Sequence, residues 1–282
     1  MPIQLRHYLI LMRAHQPRGI FLLLWPALWA LWLAGQGGPD LAVVLIFCVG
    51  VVLMRSAGCV INDIADYRLD PHVARTQTRP IAAKLVTRGE AFILFLVLLL
   101  AAASLLLFLP LTVFWWALPA AGVTVIYPFC KRFFVAPQLV LGVAFSWSIP
   151  MAYEALGAPW SLAASLLWIA ALIWPVIYDT MYGMVDMADD LTQSVHSTAI
   201  LFGRDAVFYL FLMQVSMLLL FVLVGWRAGL RWPYYGGLVI AGLCCLYQQW
   251  LIRDAKPSAC LRAFLNNNYL GLFIFIGLVC AY

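Results

Sequence analysis

Long apolar runs, almost free of charge, alternate along the chain with short segments that carry most of its polar residues. The runs are 17–21 residues long, and a helix needs about 20 mostly apolar residues to cross a bilayer. The pattern therefore predicts nine transmembrane helices. Their expected spans are 19–35, 41–61, 91–109, 111–127, 138–156, 161–178, 206–226, 233–252 and 263–282.

Composition agrees with a membrane protein. Hydrophobic residues make up 65% of the 282-residue chain and charged residues only 10%, whereas about 25% charged residues is usual for soluble domains. No linker or low-complexity tract interrupts the pattern. We expect an all-α integral membrane protein with a single membrane-embedded domain over residues 1–282.

The distribution of basic residues predicts the orientation of the chain. Of the 17 Lys and Arg, 14 lie in the N-terminal segment or in four loops, at 62–90, 128–137, 179–205 and 253–262. The positive-inside rule makes this side cytoplasmic and places the N-terminus there. The N-terminus also lacks a cleavable signal or transit-peptide pattern, which favours a bacterial inner membrane.

Acidic residues concentrate in two short segments, each of which follows an apolar run. The chain has 12 Asp and Glu, and 6 of them are Asp63, Asp66, Asp70, Asp186, Asp189 and Asp190. Both segments lie on the predicted cytoplasmic face. Carboxylate oxygens suit Mg²⁺, which usually also binds substrate phosphates. The segments therefore indicate a membrane enzyme that acts on a diphosphate, although a solvated, helix-capping loop is the alternative for the first segment.

The spacing within each segment bears on this hypothesis. Asp63, Asp66 and Asp70 would share one face if the preceding helix continued past Asn62. Asp186 and Asp190 also share a helical face. Asp179 ends an apolar run and is interpreted either as a polar site residue or as a helix cap.

Cations lie between the two acidic segments. Arg79, Lys131 and Arg132 are candidates to bind phosphate oxygens, although positive-inside topology alone also explains basic loops. Arg55 differs because it lies inside an apolar run. An intramembrane Arg indicates a functional site, with a structural ion pair as the alternative.

Both segments resemble motifs of a known family. The first reads Asn62-Asp63-x-x-Asp66-x-x-x-Asp70, and Thr78-Arg79-Pro80 follows it. The second runs from Tyr178 to Asp190, and Ser197-Thr198-Ala199-Ile200-Leu201-Phe202-Gly203 follows it. Together they resemble the two signatures of the UbiA family of membrane prenyltransferases. Trp147-Ser148-Ile149-Pro150-Met151 is similar to the branch that prenylates 4-hydroxybenzoate in ubiquinone biosynthesis.

The resemblance implies a bundle of about nine helices around a central cavity that opens to the cytoplasmic side. It implies a polyprenyl diphosphate and 4-hydroxybenzoate as substrates, and Mg²⁺ as cofactor. The implied metal and diphosphate ligands are Asn62, Asp66, Asp70, Asp186 and Asp190, with Asp66, Asp70, Asp186 and Asp190 as the catalytic carboxylates. The implied substrate-binding residues are Asn62, Arg79, Lys131, Arg132 and Arg13. Arg55, chosen for its place inside an apolar run, is a further candidate, and either Arg13 or Arg55 would bind the benzoate carboxylate.

The chain also departs from the family pattern. His15 stands where Asp is usual, Arg18 where an aliphatic residue is usual, and Met187 where Arg is common. Fewer cations beside the second segment weaken the expected charge balance there. Two alternatives stay open, a sister prenyltransferase with another acceptor and a secondary transporter, whose charges would lie near the midplane of the membrane.

Overall fold

The structure is a computed structural model that describes residues 3–73, 75–193 and 195–282. This part of the chain is helical and contains no β-strand. The α-helices are α1 (Ile3–Leu11), α2 (Arg18–Ala34), α3 (Leu41–Ala65), α4 (Arg88–Leu105), α5 (Leu111–Cys130), α6 (Pro137–Ser146), α7 (Ser148–Ala155), α8 (Leu162–Thr192), α9 (Thr198–Phe202), α10 (Ala206–Arg227), α11 (Trp232–Ile252) and α12 (Pro257–Ala281).

The helices confirm the predicted all-α membrane bundle. Within the described residues, seven helices are long and apolar enough to cross a membrane, and α2 is a shorter apolar helix of 17 residues. The predicted span 138–156 is divided between α6 and α7. The described residues therefore do not confirm the exact count of nine helices.

The division between α6 and α7 falls at Trp147 and has a local cause. Pro150 lies in the first turn of α7. Proline has no backbone N–H, and its ring clashes with the carbonyl four residues earlier, which belongs to Ser146. Helix α6 ends at Ser146 for this reason, and α7 begins two residues later.

Helix α8 is much longer than the predicted span 161–178. Its first turn is capped by Ser161, whose hydroxyl accepts a hydrogen bond of 3.2 Å from the Ala164 amide. It then runs for 31 residues to Thr192. Asp179 therefore lies in the interior of the helix, and its interpretation as a helix cap is wrong. Most of the loop predicted at 179–205 is also helical.

Helix α3 ends close to the first acidic segment. It extends to Ala65, and the amide of Asp66 donates to the Asn62 carbonyl at 2.9 Å. A turn follows, and a short 3₁₀ helix, Asp70–His72, begins at the third carboxylate. The acidic side chains are thus held by a helix end and a tight turn instead of a flexible loop.

Large aromatic side chains form the centre of the bundle. Trp29 of α2 packs against Trp174 of α8 and Phe221 of α10, with ring centroids 5.0 and 5.1 Å apart. The Trp174 indole N–H donates to Asn267 of α12 at 2.9 Å. These contacts join four helices, while large apolar side chains such as Leu45 and Leu107 remain exposed on the outer surface, as expected next to lipid.

Candidate active site

The two acidic segments meet in one polar pocket of about 190 Å³. The end of α3 and the turn after it supply one wall, and the last turns of α8 supply the other. The five predicted ligands all line this pocket, and they are Asn62, Asp66, Asp70, Asp186 and Asp190. Residues more than a hundred positions apart in sequence are therefore brought to one site.

Three cations pair with the carboxylates of the pocket. Lys131 Nζ lies 2.5 Å from Asp66 Oδ2, and Arg79 Nη1 lies 3.0 Å from both carboxylate oxygens of Asp70. Arg75 makes a bidentate contact with Asp186, at 3.0 and 2.5 Å. The guanidinium of Arg75 also stacks on the Tyr182 ring. Each basic group is positioned to bind an anion that enters the pocket.

The structure places two of the basic residues differently from the sequence analysis. Arg132 lines neither cavity of the site, because it donates to the Ala65 carbonyl and lies 3.7 Å from Asp66 Oδ1. Arg75 was not among the predicted site residues. It lies in a loop with several other cations, and nothing in the sequence distinguishes it from them.

Asp63 has a different environment from its neighbours in the first segment. Its side chain is fully buried and pairs with Arg13 at 2.8 Å and with Arg79 at 3.1 Å. It lines neither cavity, so the three carboxylates of the segment do not share one face. The reason is that α3 ends at Ala65 and the chain turns before Asp70.

Burial and ion pairing shift the pKa values of Asp70 and Arg79, which follow the end of α3. Burial raises the pKa of the Asp70 carboxyl, and the Arg79 guanidinium acts in the opposite direction. Burial alone would lower the pKa of Arg79, but the carboxylates of Asp63 and Asp70 outweigh it and raise that pKa. Arg79 therefore stays charged between the two carboxylates.

The donor set of the pocket fits a hard divalent cation. The five predicted ligands offer carboxylate and amide oxygens, and Asp66 Oδ1 is buried without a hydrogen-bond donor in the described part of the chain. No three acidic, His or Cys side chains of the described residues converge closely enough to hold an ion by themselves. Mg²⁺ commonly binds through one or two carboxylates, keeps several water ligands and shares phosphate oxygens with its protein ligands.

A larger cavity of about 1250 Å³ adjoins the polar pocket. Apolar side chains of α3, α4 and α5 form much of its wall, among them Val51, Leu99 and Leu118. The residues that line both cavities are Asn62, Arg75, Arg79, Tyr127, Asp179 and Tyr182. A substrate could thus place a charged group in the pocket and an apolar chain in the cavity.

Both candidates for the benzoate carboxylate line the large cavity. Arg13 is already paired with Asp63 and has a left-handed backbone, with φ of 57°. Arg55 of α3 lies against Gly19, and no carboxylate of the described residues forms an ion pair with it. An unpaired cation in a membrane span is available to an anionic ligand.

A helical membrane bundle with an acid-lined pocket beside an apolar cavity defines a class of membrane enzyme that acts on apolar diphosphates. The chain belongs to the UbiA prenyltransferase family, whose model matches residues 23–277. This membership confirms the resemblance seen in the two acidic motifs.

Known proteins resemble the chain over nearly its whole length. A 4-hydroxybenzoate octaprenyltransferase of Coxiella burnetii (strain Dugway 5J108-111) is 50% identical, over 99% of this chain and 97% of the relative. An apo UbiA homolog from Aeropyrum pernix K1 has a similar fold, with a TM-score of 0.81, 22% identity, and coverage of 93% of this chain and 97% of the other. A UbiA homolog from Archaeoglobus fulgidus, bound to GPP and Mg²⁺, gives a TM-score of 0.74 at 17% identity, with coverage of 97% and 99%.

Proposed function

We propose that the chain transfers a polyprenyl group from polyprenyl diphosphate to 4-hydroxybenzoate, at the ring carbon ortho to the hydroxyl. The products are 3-polyprenyl-4-hydroxybenzoate and diphosphate, and the step belongs to ubiquinone biosynthesis. The observation that carries the proposal is that an acid-lined pocket adjoins an apolar cavity, and that Arg55, which forms no ion pair among the described residues, lines this cavity. The 50% identity to a 4-hydroxybenzoate octaprenyltransferase supports the choice of acceptor.

Asp66, Asp70, Asp186 and Asp190 would hold Mg²⁺ in the polar pocket, and Asn62 would orient the ligands. Bound Mg²⁺ would neutralise charge on the diphosphate and make it a better leaving group. The same metal is present in the GPP complex of the Archaeoglobus fulgidus homolog.

The basic residues of the pocket would bind the diphosphate oxygens. Arg79 and Lys131 already reach into the pocket, and Arg75 adds a third cation. When the leaving group gains negative charge, these side chains lower the free energy of the transition state, because their charges are positioned beforehand. Arg75 thereby supplies positive charge on the second acidic segment, where the departures from the family pattern predicted a deficit.

The large cavity would hold the reacting carbons away from water. As the C1–O bond of the prenyl diphosphate breaks, an allylic carbocation develops at C1, and water would quench it. The apolar walls exclude water from this position and accommodate the chain. Arg55 or Arg13 would bind the carboxylate of 4-hydroxybenzoate and direct the ring towards C1, because a buried carboxylate needs a paired cation.

We infer a location in the bacterial inner membrane, with the N-terminus and the polar pocket on the cytoplasmic side. Both substrates and Mg²⁺ would then reach the site from the side on which they are available. The positive-inside bias of the loops supports this orientation.

Membranes containing the protein provide the test. With Mg²⁺, labelled 4-hydroxybenzoate and polyprenyl diphosphates of several lengths, they should form labelled 3-polyprenyl-4-hydroxybenzoate, and a chelator should stop the reaction. Asp70→Ala and Asp190→Ala should abolish turnover while the protein stays in the membrane. Asp189→Ala is the control, because Asp189 lines neither cavity, and it should stay active. Normal turnover in chelator by the wild type and both variants would contradict the proposal.

A further inference from the structure

Asp179 is a carboxylate at the boundary between the two cavities. It lies in the interior of α8, two turns before Asp186, and lines both the polar pocket and the large cavity. Among the described residues that line the large cavity, it is the only acidic one. The metal-site carboxylates, in contrast, line only the polar pocket.

The surroundings of Asp179 leave its carboxylate available to a ligand. No cation of the described residues forms an ion pair with it, whereas Asp66, Asp70 and Asp186 are each paired. Gln138 is the adjacent polar side chain, and its carbonyl oxygen is occupied by the Thr198 amide at 2.9 Å. Its amide NH₂ is the hydrogen-bonding group that remains for Asp179. Arg55 is near enough to interact with Asp179 electrostatically.

The prenyl transfer needs a proton acceptor at this boundary. The C1–O bond of the prenyl diphosphate breaks, and its electron pair leaves with the diphosphate. A ring π pair of 4-hydroxybenzoate then forms the bond to C1. The ring carbon still carries its hydrogen, and its C–H pair must return to the ring as the proton leaves. Arg75, Arg79 and Lys131 surround the diphosphate position, and this positive charge makes the departed diphosphate a weak base.

We propose that Asp179 accepts this ring proton. The inference rests on the proposed function. The ring would be held with its carboxylate near Arg55 and its ortho carbon facing the polar pocket, and Asp179 lines both cavities. After the transfer, the protonated carboxyl opens onto the polar pocket, through which the proton can reach water.

The test compares Asp179→Asn with the wild type, using 4-hydroxybenzoate that carries hydrogen or deuterium at both positions ortho to the hydroxyl. In the wild type we expect breakage of the C1–O bond to limit the rate, so the isotope effect on kcat should be near unity. Loss of a positioned base lowers rates by about 10²–10⁴-fold. In Asp179→Asn we expect a fall in kcat of this size, with a primary isotope effect that a structural defect would not produce.

Further variants keep the test decisive. Asp179→Glu retains a carboxylate and should recover part of the rate. Its isotope effect should lie between those of the wild type and Asp179→Asn. Asp189→Asn should match the wild type. Binding of prenyl diphosphate with Mg²⁺, measured directly, should be unchanged in Asp179→Asn, and if that variant does not bind, Asp179→Glu carries the isotope measurement.

Two results would overturn the proposal. One is an unchanged kcat in Asp179→Asn, and the other is a lower kcat without an isotope effect in either Asp179 variant. Both leave the proposed function intact, since the wild type still forms the product. Failure of the wild type to prenylate 4-hydroxybenzoate would overturn the proposed function itself.

Discussion

Arg55 and Arg13 line the same cavity but differ in what they already bind. Arg13 belongs to an ionic chain in which Asp63 joins it to Arg79. A ligand carboxylate would have to compete with Asp63 for its guanidinium. Arg55 forms no ion pair among the described residues, and Asp179 is the carboxylate near enough to interact with it. The structure therefore favours Arg55 as the partner of the benzoate carboxylate and Arg13 as a support for Arg79.

We predict that Arg55→Ala raises KM for 4-hydroxybenzoate much more than KM for the prenyl diphosphate. Truncating one partner of a buried charge pair costs about 2–5 kcal/mol, and less where water reaches the pair. Arg13→Ala should instead affect both substrates, because it releases Asp63 and disturbs Arg79. Both KM values should be measured in one membrane preparation, with the exposed Arg227 changed to Ala as the control. An Arg55→Ala effect confined to the diphosphate would assign this residue to the metal side of the site.

The sequence predicted the pocket carboxylates that form spaced motifs, but it left the position of the isolated Asp179 open. Asp66, Asp70, Asp186 and Asp190 stand out because carboxylates are rare in this chain. Asp179 is a single acidic residue after an apolar run, and the same pattern describes a helix cap. Only the continuation of α8 to Thr192 shows that Asp179 is internal and faces the cavities.

At the scale of elements, α11 and α12 approach each other closely at two glycines. A Cβ added at Gly237 would lie 2.5 Å from the Phe273 carbonyl oxygen and 2.9 Å from Gly277 Cα. Small residues let membrane helices pack backbone to backbone, where van der Waals contacts replace the missing hydrophobic effect. This contact holds α12 in place, and α12 also carries Asn267, the partner of Trp174.

We predict that Gly237→Ala destabilises the protein, because the new methyl group meets backbone atoms that cannot move aside. Overpacking of this kind costs about 1–3 kcal/mol. Gly236→Ala is the matched control, since a Cβ there meets nothing within 4 Å and alanine favours a helix over glycine by about 1 kcal/mol. Thermal unfolding in detergent should give a lower Tm for Gly237→Ala and an equal or higher Tm for Gly236→Ala. Equal Tm values for the two variants would show that the close approach does not stabilise the bundle.

Element boundaries were harder to predict than the elements themselves. The hydropathy pattern places spans correctly where apolar residues continue. The predicted span that corresponds to α8 ended at 178 because the charged residue Asp179 follows. The helix continues because Asp179, Asp186 and Asp190 face internal cavities instead of lipid, where intramembrane charges are tolerated. At 138–156 the continuous apolar run predicted one helix, whereas Pro150 divides this stretch into α6 and α7.

At the scale of the whole molecule, the polar pocket and most cations lie at the same end of the bundle. Helix α3 begins after the loop at 36–40 and ends at the first acidic segment, so these two loops lie at opposite ends. The second acidic segment reaches the same pocket at the end of α8. The cations that would attract the prenyl diphosphate and those that the positive-inside rule keeps in cytoplasmic loops therefore lie on one surface.

We predict that this surface is cytoplasmic, because 14 of the 17 Lys and Arg lie in its loops and the N-terminal segment. The measurement is labelling by a membrane-impermeant thiol reagent, in a background without the native Cys. A Cys at Ala83, which is exposed in the loop after the first acidic segment, should react only after the membrane is opened. A Cys at Gly38, exposed in the loop before α3 and free of neighbours within 4 Å, is the matched control and should react in intact cells. Labelling of the Ala83 position from the periplasm, with protection at Gly38, would reverse the orientation and place the diphosphate pocket on the side away from the cytoplasmic supply of its substrates.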